Sequence, residues 1–153
     1  MKSQFRFTDE LSRATLAGFR NAGQRRTLLS VRRGDFVNNW KYFQLSKDFY
    51  LQALASLGND REVFVTSDDF NYCRDAFDGL GFVFAEGLTA IEQLCLGASC
   101  DDFIISNSTF SWWQAWLGER NGSRVIRPLR NFSDARKEDE KDFWPSRWTI
   151  HSS

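Results

Sequence analysis

Asp-Phe-Ile-Ile-Ser-Asn-Ser-Thr-Phe-Ser-Trp-Trp-Gln-Ala-Trp-Leu-Gly-Glu, residues 102–119, is the stretch that decides the fold. Its first five residues form a short apolar run of the kind that makes a strand buried on both faces. Asn107-Ser108-Thr109 then supplies capping residues, and 109–119 reads as an aromatic helix. A strand feeding directly into a helix is one half of a βαβ unit, and the same unit recurs on both sides. Strands are expected at 27–31, 62–67, 82–85 and 123–126, the last closed by Pro128. Helices are expected at 8–22 (Thr8 as N-cap), 46–57 (Ser46 as N-cap, Gly58 as stop), 69–79 and 89–97. This alternation implies crossover connections and a parallel sheet, hence a Rossmann-like α/β fold in a single domain over 1–153. The tail, 130–153, is charged through Arg-Lys-Glu-Asp-Glu-Lys-Asp and then carries Phe143, Trp144 and Trp148, which should pack back on the domain. His151, two residues from the end, reads as a frayed tail residue.

The composition narrows the function. The chain has 153 residues, 42% of them hydrophobic, with 15 Phe and 6 Trp, enough to bury a proper core. Twenty basic and 20 acidic residues cancel, so no long-range field draws nucleic acid or anionic lipid, and any anion site must be local. No run approaches the ~20 apolar residues of a membrane span, and the first residues do not resemble a signal peptide. Cys73, Cys95 and Cys100 form no CxxC pair. A cytoplasmic, reducing setting is expected, with the N-x-S/T patterns at Asn107, Asn121 and Asn131 unglycosylated.

In open parallel sheets, ligands bind beyond the carboxyl ends of the strands. Those positions carry Arg32-Arg33-Gly34-Asp35, Ser67-Asp68-Asp69 and Asn107-Ser108-Thr109-Phe110-Ser111. Arginine offers a permanent charge in a planar fork suited to phosphate. Gly34 allows close backbone approach or a positive φ. Unpaired N–H groups at the entry of the 109–119 helix form an uncharged anion cradle, and the carboxylates suit ribose hydroxyls or a purine edge. Each cluster also has a bland reading: a solvated arginine pair, acids capping a helix, Asn-Ser-Thr as capping chemistry, and tryptophans in the core. Together, at one end of consecutive strands, they indicate a nucleotide diphosphate held without metal. There is no GxGxxG and no GxxxxGK[ST], and the single histidine, His151, read as a tail residue, argues against a Ser-His-Asp triad or a histidine metal site.

Ser-Val-Arg-Arg-Gly-Asp-Phe-Val (30–37), Phe-Val-Thr-Ser-Asp-Asp (64–69) and the 104–117 stretch resemble, in order and spacing, three motifs of family 11 glycosyltransferases. The Trp-Pro-Ser-Arg-Trp at 144–148 agrees with them. The resemblance implies an α-1,2-fucosyltransferase, one domain of a GT-B enzyme. Such an enzyme moves L-fucose from GDP-β-L-fucose to the 2-hydroxyl of a galactose-containing acceptor, with inversion, no cofactor and no metal. It implies that Arg32 and Arg33 hold the diphosphate and that Asp68 and Asp69 hold the nucleoside or organise the site. Asn107, Ser108, Thr109, Phe110 and Ser111 would line the phosphate and sugar region. Arg32 and Asp35 are the catalytic candidates, Asp35 as a residue that orients the arginines rather than acts on substrate; no base is identified, and Asp35 and Asp69 qualify as one by residue type alone. Two features depart from the pattern. Ser30 stands where many members carry a histidine, and no glycine-rich acceptor-side half is present, so a partner or dimer would complete the acceptor side. Three alternatives stay open: fucosyl transfer of another linkage (α-1,6 or protein O-fucosylation), a non-catalytic nucleotide-sugar-binding domain, and a flavodoxin-like phospho-acceptor domain.

Overall fold

The computed structural model describes residues 5–17, 23–134 and 139–151. Among these, a six-stranded parallel sheet is flanked by five α-helices. The helices are α1 (Asp9–Leu16), α2 (Lys47–Leu57), α3 (Phe70–Phe77), α4 (Ala90–Ala98) and α5 (Thr109–Gly118). The strands are β1 (Arg25–Val31), β2 (Arg61–Ser67), β3 (Val83–Phe84), β4 (Asp102–Ile105), β5 (Val125–Pro128) and β6 (Thr149–His151). Their order is β3-β2-β1-β4-β5-β6, the Rossmann arrangement, in which the chain winds outward in both directions from β1 and β4.

Strand periodicity sorts the core into two layers. Leu29, Val31, Val63, Val65, Ile104 and Ile126 face α2 and α3, where Phe49, Tyr50, Ala53 and Phe77 are buried. The alternate residues Leu28, Phe64, Phe103, Ile105 and Val125 face α4 and α5, with Leu96 and Ala115. Because both faces are covered, these strands read as continuous apolar runs rather than alternating ones. Two glycines let α4 and α5 approach closely. A Cβ on Gly97 would lie 2.5 Å from Gln114 Nε2, and one on Gly118 would lie 2.7 Å from the Ala98 carbonyl.

The caps follow the sequence. Thr8, Ser46 and Ser108 accept from Leu11, Phe49 and Ser111 N–H, and Thr89 with Glu92 forms a capping box. α1 is shorter than the 8–22 expectation; Ala17 is its C-cap, and residues 18–22 lie outside the described residues. β5 begins two residues later than expected, because Ser123 closes a turn on Arg120 through both N–H and Oγ. His151 is not frayed. It pairs with Pro128 in β6 and sets its ring 5.8 Å from that of Phe49, so the tail adds a strand to the sheet. Trp144 and Trp148 are 8% and 3% exposed, and Trp148 Nε1 donates to Glu119 at 2.8 Å.

At the amino edge of the sheet, Asp102 is fully buried and paired with Arg61 at 2.6 Å, Arg25 at 3.0 Å and Arg124 at 3.4 Å. Burial alone would raise its pKa. Hydrogen bonds from Arg25 and Arg61 outweigh that and hold it well below the carboxylate range. All three cysteines are free and buried, and burial pushes Cys73 up to about 11 and Cys100 up to about 12.

Candidate functional site

Register brings the motifs together. Val31 pairs with Ser67, so Arg32 and Asp68 lie one residue beyond that pair; Ser30 pairs with Ile105, so Arg32 and Asn107 lie two residues beyond that one, and the three stand in one rank above the sheet. The switch point lies between β1 and β4, and the entry of α5 opens beside it.

The arginines diverge. Arg32 is bonded to Asp35 at 2.5 Å and Asp68 at 3.0 Å. Arg33 lies over the Tyr72 ring, 3.7 Å from its centroid, and 3.5 Å from Asp69. Asp68 also accepts from Arg33 N–H at 2.9 Å, and a Cβ on Gly34 would come 2.1 Å from its Oδ2. Gly34 is therefore required by the close approach of Asp68, rather than by a positive φ. Asp69 caps α3 through Tyr72 N–H, and its own N–H donates to Ser67 Oγ. Two guanidinium groups thus face three carboxylates, a local charge of about −1. Asp35 is the loosest of these carboxylates: its side chain is 64% exposed, and exposed pairs are worth only about 0–1 kcal/mol. Asp35 can therefore leave Arg32 at little cost, whereas Asp68 is held by both Arg32 and the Arg33 N–H.

Two clefts meet at Arg32, Ser108 and Phe110. The first, about 200 Å³, runs between Val31, Ser67, Asp68, Gln93 and Ser111. The second, about 350 Å³, lies between Asp35, Phe36, Tyr42, Thr109, Asn131 and Phe132. Ser108 caps α5, and helix geometry leaves the N–H groups of the first turn, at Thr109 and Phe110, without intrahelical partners. Arg32 and that turn line both clefts, a cationic fork beside open N–H groups. Asn107 is spent elsewhere: it is 2% exposed, and its Nδ2 donates to the carbonyls of Phe43 (2.8 Å) and Asn131 (2.7 Å), tying two loops together. Buried Asn107 and Asn131 cannot be glycosylated in the folded chain.

Beneath the crevice lies a buried polar network that the sequence reading did not isolate. Ser30 donates to Gln114 Oε1 at 2.7 Å, so Ser111, 2.7 Å away, must donate to Ser30; Ser106 in turn donates to Ser111 at 2.7 Å. Gln114 Nε2 donates to Thr66 Oγ1 and the Gln93 carbonyl, and Gln93 Oε1 accepts from Ser67 N–H. Thr66 Oγ1 lies 3.4 Å from both Ser30 Oγ and Gln114 Oε1, and the network ties β1, β2, α4, α5 and the end of β4 together under the crevice. The available signal was positional: Ser30, Thr66 and Ser106 are polar residues near the ends of three apolar strands. Ser30, 3% exposed, is a member of this network.

Among the described residues, no group of three or more His, Cys, Asp or Glu is placed to hold a metal ion, and no helix is long and apolar enough to cross a membrane. Fold and site define a Rossmann-type α/β domain with two clefts meeting at its switch point. The family model for glycosyl transferase family 11 matches residues 10–151, and the chain belongs to that family. It is 28% identical over 122 residues to the O-antigen biosynthesis glycosyltransferase WbnK of Escherichia coli, covering 72% of this chain and 40% of that one. An α-1,2-colitosyltransferase of Escherichia coli is 30% identical over 130 residues (77% of this chain, 44% of the relative). A galactoside 2-α-L-fucosyltransferase of Caenorhabditis elegans is 27% identical over 132 residues (77% and 37%). The chain therefore spans 37–44% of the length of these relatives. No solved structure matches it significantly.

Proposed function

We propose that this chain carries the donor site of an inverting, metal-independent transferase that moves L-fucose from GDP-β-L-fucose to the 2-hydroxyl of a galactoside. The observation that carries this reading is the meeting of Arg32 with the open first turn of α5 at the sheet's switch point. The reaction forms a bond from the acceptor oxygen to the sugar C1 and breaks the C1–O bond to the β-phosphate. The electron pair departs with GDP, and Arg32 with the α5 N–H groups stabilises the charge that develops there. The acceptor proton needs a carboxylate. Asp69 is committed to capping α3 and Asp68 to the arginine loop, which leaves Asp35, freed once phosphate takes over Arg32. The relatives named for fucosyl and colitosyl transfer support a deoxyhexosyl donor.

Calorimetric titration with GDP tests the reading. Binding is expected, and Arg32→Ala should weaken it by about 1.5–3 kcal/mol, the worth of a charged hydrogen bond. No heat at millimolar GDP, or an unchanged affinity in Arg32→Ala, would sink it. A second reading, a nucleotide-sugar-binding unit without transfer, draws on the excess of carboxylates around the arginines. It predicts GDP binding with neither transfer nor hydrolysis when galactosides are supplied.

A further inference from the structure

The second cleft is larger than the first and differs from it in character. One wall is aromatic: Phe36 and Tyr42 stack at 3.9 Å with their planes 7° apart, and Phe132 leans on Tyr42 at 5.8 Å. The walls are held from behind. Tyr42 and Phe132 form a β-bridge, Ser133 N–H donates to the Lys41 carbonyl, and Glu140 accepts from both Asn131 and Phe132 N–H. The charges lining the cleft, Arg32 and Asp35, compensate one another.

We propose that this cleft binds a neutral pyranose and is the subsite for the acceptor galactoside. A pyranose presents apolar C–H faces, which pack on aromatic rings, and a rim of hydroxyls, which need carboxylate or amide partners. Tyr42 and Phe132, backed by the buried Phe36, meet the first need and Asp35 the second. A nucleotide offers anionic phosphates, which only Arg32 and the first-turn N–H groups of α5, at the border with the first cleft, can answer; the aromatic wall offers them nothing. Because the clefts meet at Arg32, Ser108 and Phe110, a sugar here lies next to whatever the first cleft holds, the adjacency a two-substrate transfer requires. Acceptor contacts thus begin on this chain rather than wholly outside it. The assignment as acceptor rests on the donor reading; the pyranose site itself does not.

Amide NMR of the full chain tests it, with GDP and methyl β-D-galactopyranoside titrated separately and together. The galactoside should shift the amides of Asp35, Phe36 and Phe132, GDP those of Ser67 and Ser108, and both sets should persist in the mixture. Asp35→Asn, at an exposed position, should keep the fold and weaken galactoside binding about tenfold. Phe132→Leu should weaken it as well. Galactoside shifts that are absent, that fall at Ser67 and Gln93 instead, or that are unchanged in affinity by Asp35→Asn overturn the proposal. So does their disappearance when GDP-fucose replaces GDP, since the cleft would then belong to the donor's own sugar. Galactoside shifts without any response to GDP leave the pyranose site standing and remove the donor reading.

Discussion

The guanidinium of Arg32 has a carboxylate on either side, while its chain neighbour Arg33 is turned away onto Tyr72. Two identical side chains, adjacent in sequence, are separated by the backbone alternation at the end of β1 and by what each direction offers. The loop between them and Asp68 is dense enough that one methyl group matters. Gly34→Ala should cost about 1–3 kcal/mol, because its Cβ would overlap Asp68 Oδ2. If that overlap is the cause, the penalty measured by urea denaturation should largely vanish in an Asp68→Ala background, a coupling of about 0.5–3 kcal/mol. A penalty that is the same in both backgrounds would place the strain elsewhere. The residue type Gly34 was legible as a close-approach glycine; its partner was not, since Asp68 is 34 positions away and meets it only through the β1–β2 register.

Elements divide the arginines by sheet edge. Arg25, Arg61 and Arg124 converge on Asp102 at the amino ends of the strands, where nothing but structure is served. Because the folded pKa of Asp102 is depressed, its contribution is fully present above the ordinary carboxylate value of about 4 and is lost as pH falls through the depressed one. Urea midpoints should therefore drop below about pH 4, and Asp102→Ala should cost about 3–5 kcal/mol at neutral pH and flatten that acid limb. An acid limb of unchanged slope in the variant would assign the pH dependence to other groups. At the opposite edge, the cap of α5 borders the proposed donor site. Ser108→Ala should lose about 1 kcal/mol of stability and, by loosening the first turn, GDP affinity as well. Differential scanning calorimetry and GDP titration on one sample separate the two losses. The caps were legible in the sequence because capping is local, acting over three residues.

The whole molecule is closed by its tail. Trp148 is 3% exposed, donates to Glu119, and precedes the strand that pairs with β5. Trp148→Ala should cost about 3–5 kcal/mol in urea denaturation. Trp113→Ala, at a position 40% exposed, should stay under about 1 kcal/mol. Similar costs at the two tryptophans would show that the tail is not part of the folding unit.

The sequence by itself determined the alternation of buried runs and amphipathic segments, hence the parallel sheet, and the chemistry gathered at its carboxyl edge. Both are properties of consecutive residues, written in hydrophobic periodicity and capping. Only the tertiary structure decided which arginine faces the crevice and that Asn107 ties loops together. It also decided that Ser30 sits in a hydroxyl chain with Ser111 and Gln114, that His151 ends a sixth strand, and that a second, aromatic-walled cleft opens beside the first. Each of these depends on which distant segments come within hydrogen-bonding or packing distance. Strand order and register fix that, and no local run of side chains encodes it.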